Sequence, residues 1–140
     1  MNLIQYFTRL NAAQRIALLL STVFLGIVLI ERLPGVLVPT DDPHEWLMFG
    51  LFQISLLDDI THGISGVLGF IALAKGYRAT VYYLMLIGGY YALDALFFIA
   101  YGVAAAKPLI ENVLLNLPHV LIAVLVFLAL RRSVDAVALA

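Results

Sequence analysis

Residues Ser55–Lys75 read Ser-Leu-Leu-Asp-Asp-Ile-Thr-His-Gly-Ile-Ser-Gly-Val-Leu-Gly-Phe-Ile-Ala-Leu-Ala-Lys. Ser55 followed three residues later by Asp58 is a helix-start signal, because each side chain can satisfy a backbone N–H left open at the first turn. From Leu56 to Lys75 a helix rising 1.5 Å per residue covers about 30 Å, the hydrocarbon thickness of a bilayer. The stretch therefore reads as a membrane span that carries Asp58, Asp59 and His62 near its start.

The rest of the chain agrees. Of 140 residues, 64% are hydrophobic and 12% charged, against about half and a quarter in soluble domains. The length fits one integral membrane domain over residues 1–140, with spans at about 15–37, 56–75, 80–101 and 108–130. A net charge of −1 with eight Lys and Arg leaves no basic surface for nucleic acid. The absence of cysteine excludes disulfides, thiolate metal sites and cysteine nucleophiles.

Local signals place the other elements. Arg9 and Arg15 precede the first apolar run, but Glu31, Arg32 and Pro34 follow it in place of a small-residue cleavage site, so a retained span is expected. Asn11 and Gln14 have the spacing of a capping box, and Leu3, Ile4, Phe7 and Leu10 fit a short interfacial helix upstream. Asp42-Pro43-His44-Glu45 resembles a helix start, so residues 43–54 are expected to form a short interfacial or re-entrant helix. One long kinked helix from Pro43 is the alternative. Pro108 suits the first position of the fourth span. His44 falls in the outer loop, and Trp46, Tyr82 and Tyr83 read as interfacial belt residues. The expected fold is an all-α bundle of four transmembrane helices.

Basic residues sort by side. Arg9, Arg15, Lys75, Arg78, Arg131 and Arg132 share one end, with Arg32 and Lys107 at the other. The positive-inside rule then puts both termini in the cytoplasm, in what reads as a bacterial inner membrane. Shifting the second span onto the fourth pairs His62 with His119, a weak repeat that fits two hairpins related by an axis along the membrane normal.

Counting at 1.5 Å per residue, His62 lies about 20 Å from Lys75, His119 about 18 Å from Arg131, and Asp94 about 24 Å from Arg78. These groups reach one level in the outer leaflet. Asn112, Asn116, His119 and Ala123 share a helical stripe, as do Asp58, His62, Gly66 and Gly69, and as do Tyr90, Asp94 and Tyr101. Polar groups in hydrocarbon must face protein or water, so a buried polar cluster of Asp58, Asp59, His62, Asp94, Asn112, Asn116 and His119 is expected. Simpler roles stand beside this one. Asp58, Asp59 and Glu111 suit first-turn capping, the asparagines suit interhelical hydrogen bonds, and the histidines suit buried neutral imidazoles. Asp94, placed in the last turns of its span, needs a proton or a histidine partner.

The text from Met48 to Gly69 resembles a family of small four-span bacterial membrane proteins catalogued only as a domain of unknown function. Its recurring text is Phe-x-Val-Asn, then Asn-x-x-His, then Gly-x-x-Gly. Asp59 stands where the family has Asn, His62 matches its His, and Gly66 and Gly69 match its glycines. Glu111-Asn112 resembles the opening of the family's final phrase, whose His would fall at Leu115; this chain has Asn116 and His119 instead. The resemblance implies four spans and no activity.

Three functions fit the residues. The first is a non-enzymatic structural or accessory subunit, with lipid, other membrane subunits or further copies of itself as partners and no cofactor required. The second is a proton-, cation- or metal-binding site built from Asp59, His62, Asp94 and His119. The third is a redox subunit holding haem b between His62 and His119.

Overall fold

A computed structural model describes residues 10–41 and 43–138. The order is α1 (Ala12–Ile30), β1 (Leu37–Pro39), β2 (Glu45–Met48), β3 (Phe52–Ser55), α2 (Leu56–Lys75), α3 (Tyr77–Ala104), α4 (Leu109–Leu115) and α5 (Leu117–Ala138). The interfacial helix expected over Leu3, Ile4 and Phe7 lies outside the described residues, as does Asp42.

Three helices, α1, α2 and α3, are long and apolar enough to cross a membrane; α4 and α5 make a fourth crossing if the bent pair counts as one span. Both capping boxes form. Gln14 N–H donates to Asn11 Oδ1 at 2.9 Å, and Asn11 N–H donates back to Gln14 Oε1 at 3.2 Å. Ser55 N–H and Oγ donate to Asp58 Oδ2 at 2.9 and 2.7 Å.

The helices bury a narrow stripe and leave the rest apolar and exposed, as a lipid-facing bundle requires. On α1 the stripe is Ala13, Ala17, Leu20, Ser21 and Phe24, at helical spacing. It meets Ala72 and Leu73 of α2, Tyr83, Leu84, Ile87 and Tyr91 of α3, and Val126 of α5. Both α2 and α5 pack on α1 and on α3, and α1 also touches α3 across the middle. Helices α2 and α3 are joined through Gly76 alone, whose φ of 96° suits a residue without a Cβ. Thr80 Oγ1 donates to Gly76 O at 3.0 Å and fastens that corner.

Residues 43–54 are not a helix of either expected kind. They form most of a three-stranded antiparallel sheet in the order β1-β2-β3, with Leu37 opposite Met48 and Trp46 opposite Ile54. The local start signal at Pro43 yields to pairing with Leu37–Pro39, which no short window of sequence contains. The hairpin turns at Phe49 and Gly50, with φ of 55° and 69°, values that exclude an α-helix there. Accordingly α1 stops at Ile30 and the first span does not reach residue 37. Ser55 ends β3 and caps α2, so the sheet sets the start of α2 beside the end of α1.

The fourth expected span is broken at Asn116, where α4 and α5 diverge by 65°. Pro118 accounts for it. A proline lacks the N–H that would bond the carbonyl of Leu114, and its ring clashes with that group. Pro108 caps α4 instead of opening it. Pro118→Ala is expected to reduce the bend, read as a longer distance between spin labels on Ile110→Cys and Leu121→Cys. An unchanged distance would assign the bend to packing around Asn112.

Candidate functional site

The seven polar candidates do not form one cluster; they divide into three groups. Asp58, Thr61 and His62 of α2, Tyr90, Tyr91 and Asp94 of α3, and His119 of α5 line a single cavity. Its volume is about 10 Å³, close to that of one water molecule. His119 Nδ1 lies 2.6 Å from Asp94 Oδ2, with the two side chains 30% and 18% exposed. Both atoms are buried, and no other side chain bonds either of them among the described residues. His62 Nδ1 is also buried without a partner.

Rings connect the two histidines. His62 stacks on Phe24 of α1 with centroids 5.7 Å apart, Phe24 stacks on Tyr91 at 5.4 Å, and Tyr91 tilts against His119 at 5.2 Å. Phe24 and Tyr91 are almost fully buried. The histidines therefore belong to helices on either side of the α1–α3 contact, joined through its aromatic centre. The two-hairpin symmetry is not kept, because α2 is continuous where its counterpart breaks.

Asp59 turns away from this cavity. It accepts from Arg32 Nη2, and its carboxyl lies within hydrogen-bonding reach of Glu31. Glu31 is 3% exposed, with both carboxyl oxygens lacking any other donor. Burial, the hydrogen bond to Asp59 and the negative charge on Asp59 together push the Glu31 carboxyl up to about 7, against the pull of Arg32. The same carboxylate neighbour raises the Arg32 guanidinium further above its ordinary value.

The asparagines serve the helix break. Asn112 is buried against Gly102 of α3, where an added Cβ would lie 2.1 Å from Asn112 Oδ1. Its Nδ2 donates to Lys107 O at 3.3 Å, and Asn116 Nδ2 donates to Asn112 O at 2.9 Å. With α4 and α5 diverging, the expected single stripe through Asn112, Asn116 and His119 does not exist.

Neither inorganic reading fits this arrangement. Among the described residues, no group of three or more His, Asp or Glu side chains could hold a metal ion. Asp59 is committed to Arg32 and Glu31, which removes it from the set with His62, Asp94 and His119. A haem-sized ligand needs roughly 300 Å³ or more, while the cavity shared by His62 and His119 is about 10 Å³. The proline break and the aromatic filling leave no slot for a macrocycle there.

The profile of a domain of unknown function, DUF4383, matches residues 14–111, well over half of the chain. This chain belongs to the DUF4383 family. No curated protein and no solved structure matches. Within the DUF4383 match lie both carboxyl-rich helix ends, His62, Asp94 and the sheet. The motif glycines of this DUF4383 chain are packing points. A Cβ at Gly66 would meet Leu25 Cγ at 2.6 Å, and one at Gly69 would meet Ser21 Oγ at 1.9 Å and Tyr83 Oη at 2.8 Å. Gly66 lets α2 close on α1, and Gly69 lets it close on α1 and α3. Tyr83 is therefore core and not a belt residue, whereas Tyr82 is exposed.

Sequence reasoning missed Glu31, Arg32, Phe24 and Tyr91. Glu31 was legible in one respect: it continues the buried α1 stripe of Ala13, Ala17, Leu20 and Phe24, at i+7 from Phe24. Its proximity to Asp59 depends on the sheet. The helix-end argument for Asp94 also changes, because α3 runs on to Ala104 and the dipole acts mainly within the last turn. The group that Asp94 meets is His119.

Proposed function

We propose that the protein is a non-enzymatic integral membrane protein, a structural or accessory subunit of a membrane assembly, with both termini in the cytoplasm of a bacterial inner membrane. The observation that carries this reading is the size of the polar cavity, about 10 Å³, which admits a water molecule and no organic substrate. The carboxyl and amide groups around the bundle are used in caps, an ion pair and a helix break, which are structural roles. The distribution of basic residues supports the orientation: Lys75 and Arg78 flank one turn, while Arg32 and Lys107 follow the opposite ends of α1 and α3. The apolar exterior suits lipid and further membrane subunits or copies of the chain.

A second reading, proton relay, is favoured by the 2.6 Å approach of Asp94 and His119 beside a water-sized cavity that His62 also lines. Proton flux into liposomes containing the purified protein separates the two. The structural role predicts flux no greater than in empty liposomes. Relay predicts flux that Asp94→Asn removes, because the amide can neither accept nor pass the proton. Flux that persists unchanged in Asp94→Asn would exclude this site as the route.

A further inference from the structure

The most unusual electrostatic feature lies outside the histidine cavity, where the end of α1 meets the start of α2. Glu31 is the C-cap residue of α1, Asp59 sits in the first turn of α2, and Arg32 bridges to Asp59. Two carboxylates and one guanidinium leave one uncompensated negative charge at a site where Glu31 is 3% exposed. Glu31 Oε1 and Oε2 and Asp59 Oδ1 are all buried with no donor to bond. One added proton resolves both problems, because a protonated carboxyl donates to its ionised neighbour and the cluster becomes neutral. We propose that Glu31 and Asp59 share a single proton, and that this proton is a pH-sensitive latch holding the end of α1 and the sheet beyond it against α2.

The helix ends decide which carboxyl carries the proton. Glu31 lies at the negative end of the α1 dipole, which disfavours an anion. Asp59 lies at the positive end of the α2 dipole and is paired with Arg32, both of which favour one. The proton therefore resides on Glu31 and is donated toward Asp59. The other titratable groups that influence the pair are Asp58 and His62, both on α2. Loss of the proton places two adjacent anions under the sheet with one guanidinium between them. The segment Glu31–Val36, held by the turn bonds Leu33 N–H to Ile30 O and Val36 N–H to Leu33 O, is what such repulsion would lift.

The sign of the pH dependence follows. The Glu31 carboxyl moves from an ordinary value of 4.5 up to about 7 in the folded chain. Stability from this contact is full below the lower value and is lost as pH rises through the upper one, because the unfolded chain gives up its proton first. The test is thermal unfolding of the full chain in detergent between about pH 5 and about pH 8.5. The midpoint should fall with rising pH in the wild type, and Glu31→Gln, whose amide still donates to Asp59, should abolish the part of that fall that lies between about 4.5 and about 7. An identical pH slope in Glu31→Gln would overturn the proposal.

Two measurements stand independently of whether that variant folds. With glutamate carboxyls isotopically labelled, the signal comes from Glu31, Glu45 and Glu111, of which only Glu31 is buried. A protonated carboxyl band in the infrared that disappears as pH passes about 7 is expected; no such band below that pH would overturn the shared proton. Since the chain has no cysteine, a spin label on Leu33→Cys reports the segment Glu31–Val36 alone. Its mobility should rise over the same pH interval, and constant mobility would overturn the latch. None of these readouts depends on flux or on a partner, so they are distinct from the tests of the structural and relay roles.

Discussion

Gly69→Ala is expected to destabilise the bundle by about 1–3 kcal/mol, the usual range for forcing one methyl group into a close-packed interface. The added Cβ would lie 1.9 Å from Ser21 Oγ and 2.8 Å from both Tyr83 Cζ and Tyr83 Oη. Ser21 is fully buried and its Oγ already donates to Ala17 O at 2.6 Å, so it cannot swing aside without breaking that bond. Tyr83 is 5% exposed and is held by the core around it. The backbones of α1 and α2 must separate, and that loosens the site above them. Gly63→Ala on the same helix is the control. Nothing lies within 4 Å of a Cβ there, so the substitution should stabilise by about 0.5–1 kcal/mol through helix propensity alone. Thermal unfolding in detergent reads both. Two shifts of the same sign would mean that Gly69 is not a point of helix contact.

Asp94→Leu is expected to cost about 1–2 kcal/mol, because it leaves the buried His119 Nδ1 without the carboxylate that lies 2.6 Å from it. The figure sits low in the range for stranded buried groups, since His119 is 30% exposed and water can reach part of it. Asp94→Leu/His119→Leu should recover much of the loss, as replacing both partners by apolar groups removes the stranded atom. A double-mutant cycle checks this directly. A double variant no more stable than Asp94→Leu would show that the two residues are energetically independent despite their 2.6 Å separation.

The cavity and the carboxyl latch imply different sensitivities. Around the cavity, Phe24 and Tyr91 hold the two histidine-bearing helices apart at fixed ring spacings, so mutations there should act on packing first. At the latch, Glu31 and Arg32 are adjacent in sequence but face opposite conditions, one buried and the other largely exposed. Removing Arg32 would leave Asp59 and Glu31 to compete for charge without a counter-ion. This places the pH response of the protein at the sheet end of the bundle and its mechanical rigidity in the aromatic middle.

The sequence by itself determined the elements whose signals are local. Runs of apolar residues set α1, α2 and α3, because a helix in lipid satisfies its own backbone and needs no partner to be recognised. Asn11 with Gln14 and Ser55 with Asp58 fixed two helix starts for the same reason, each being a bond across three residues. Tertiary structure alone decided the sheet, the bend at Asn116 and the company each acidic group keeps. Strand β1 pairs with β2 across a loop that conceals the partner, and the proline effect at residue 118 looks identical in a kinked or a continuous span. Asp58 and Asp59 are neighbours in the chain, yet one lines the histidine cavity and the other meets Glu31 and Arg32. A turn of about 100° between consecutive helical residues separates them, and only the placement of α1 and α3 gives each direction its chemistry.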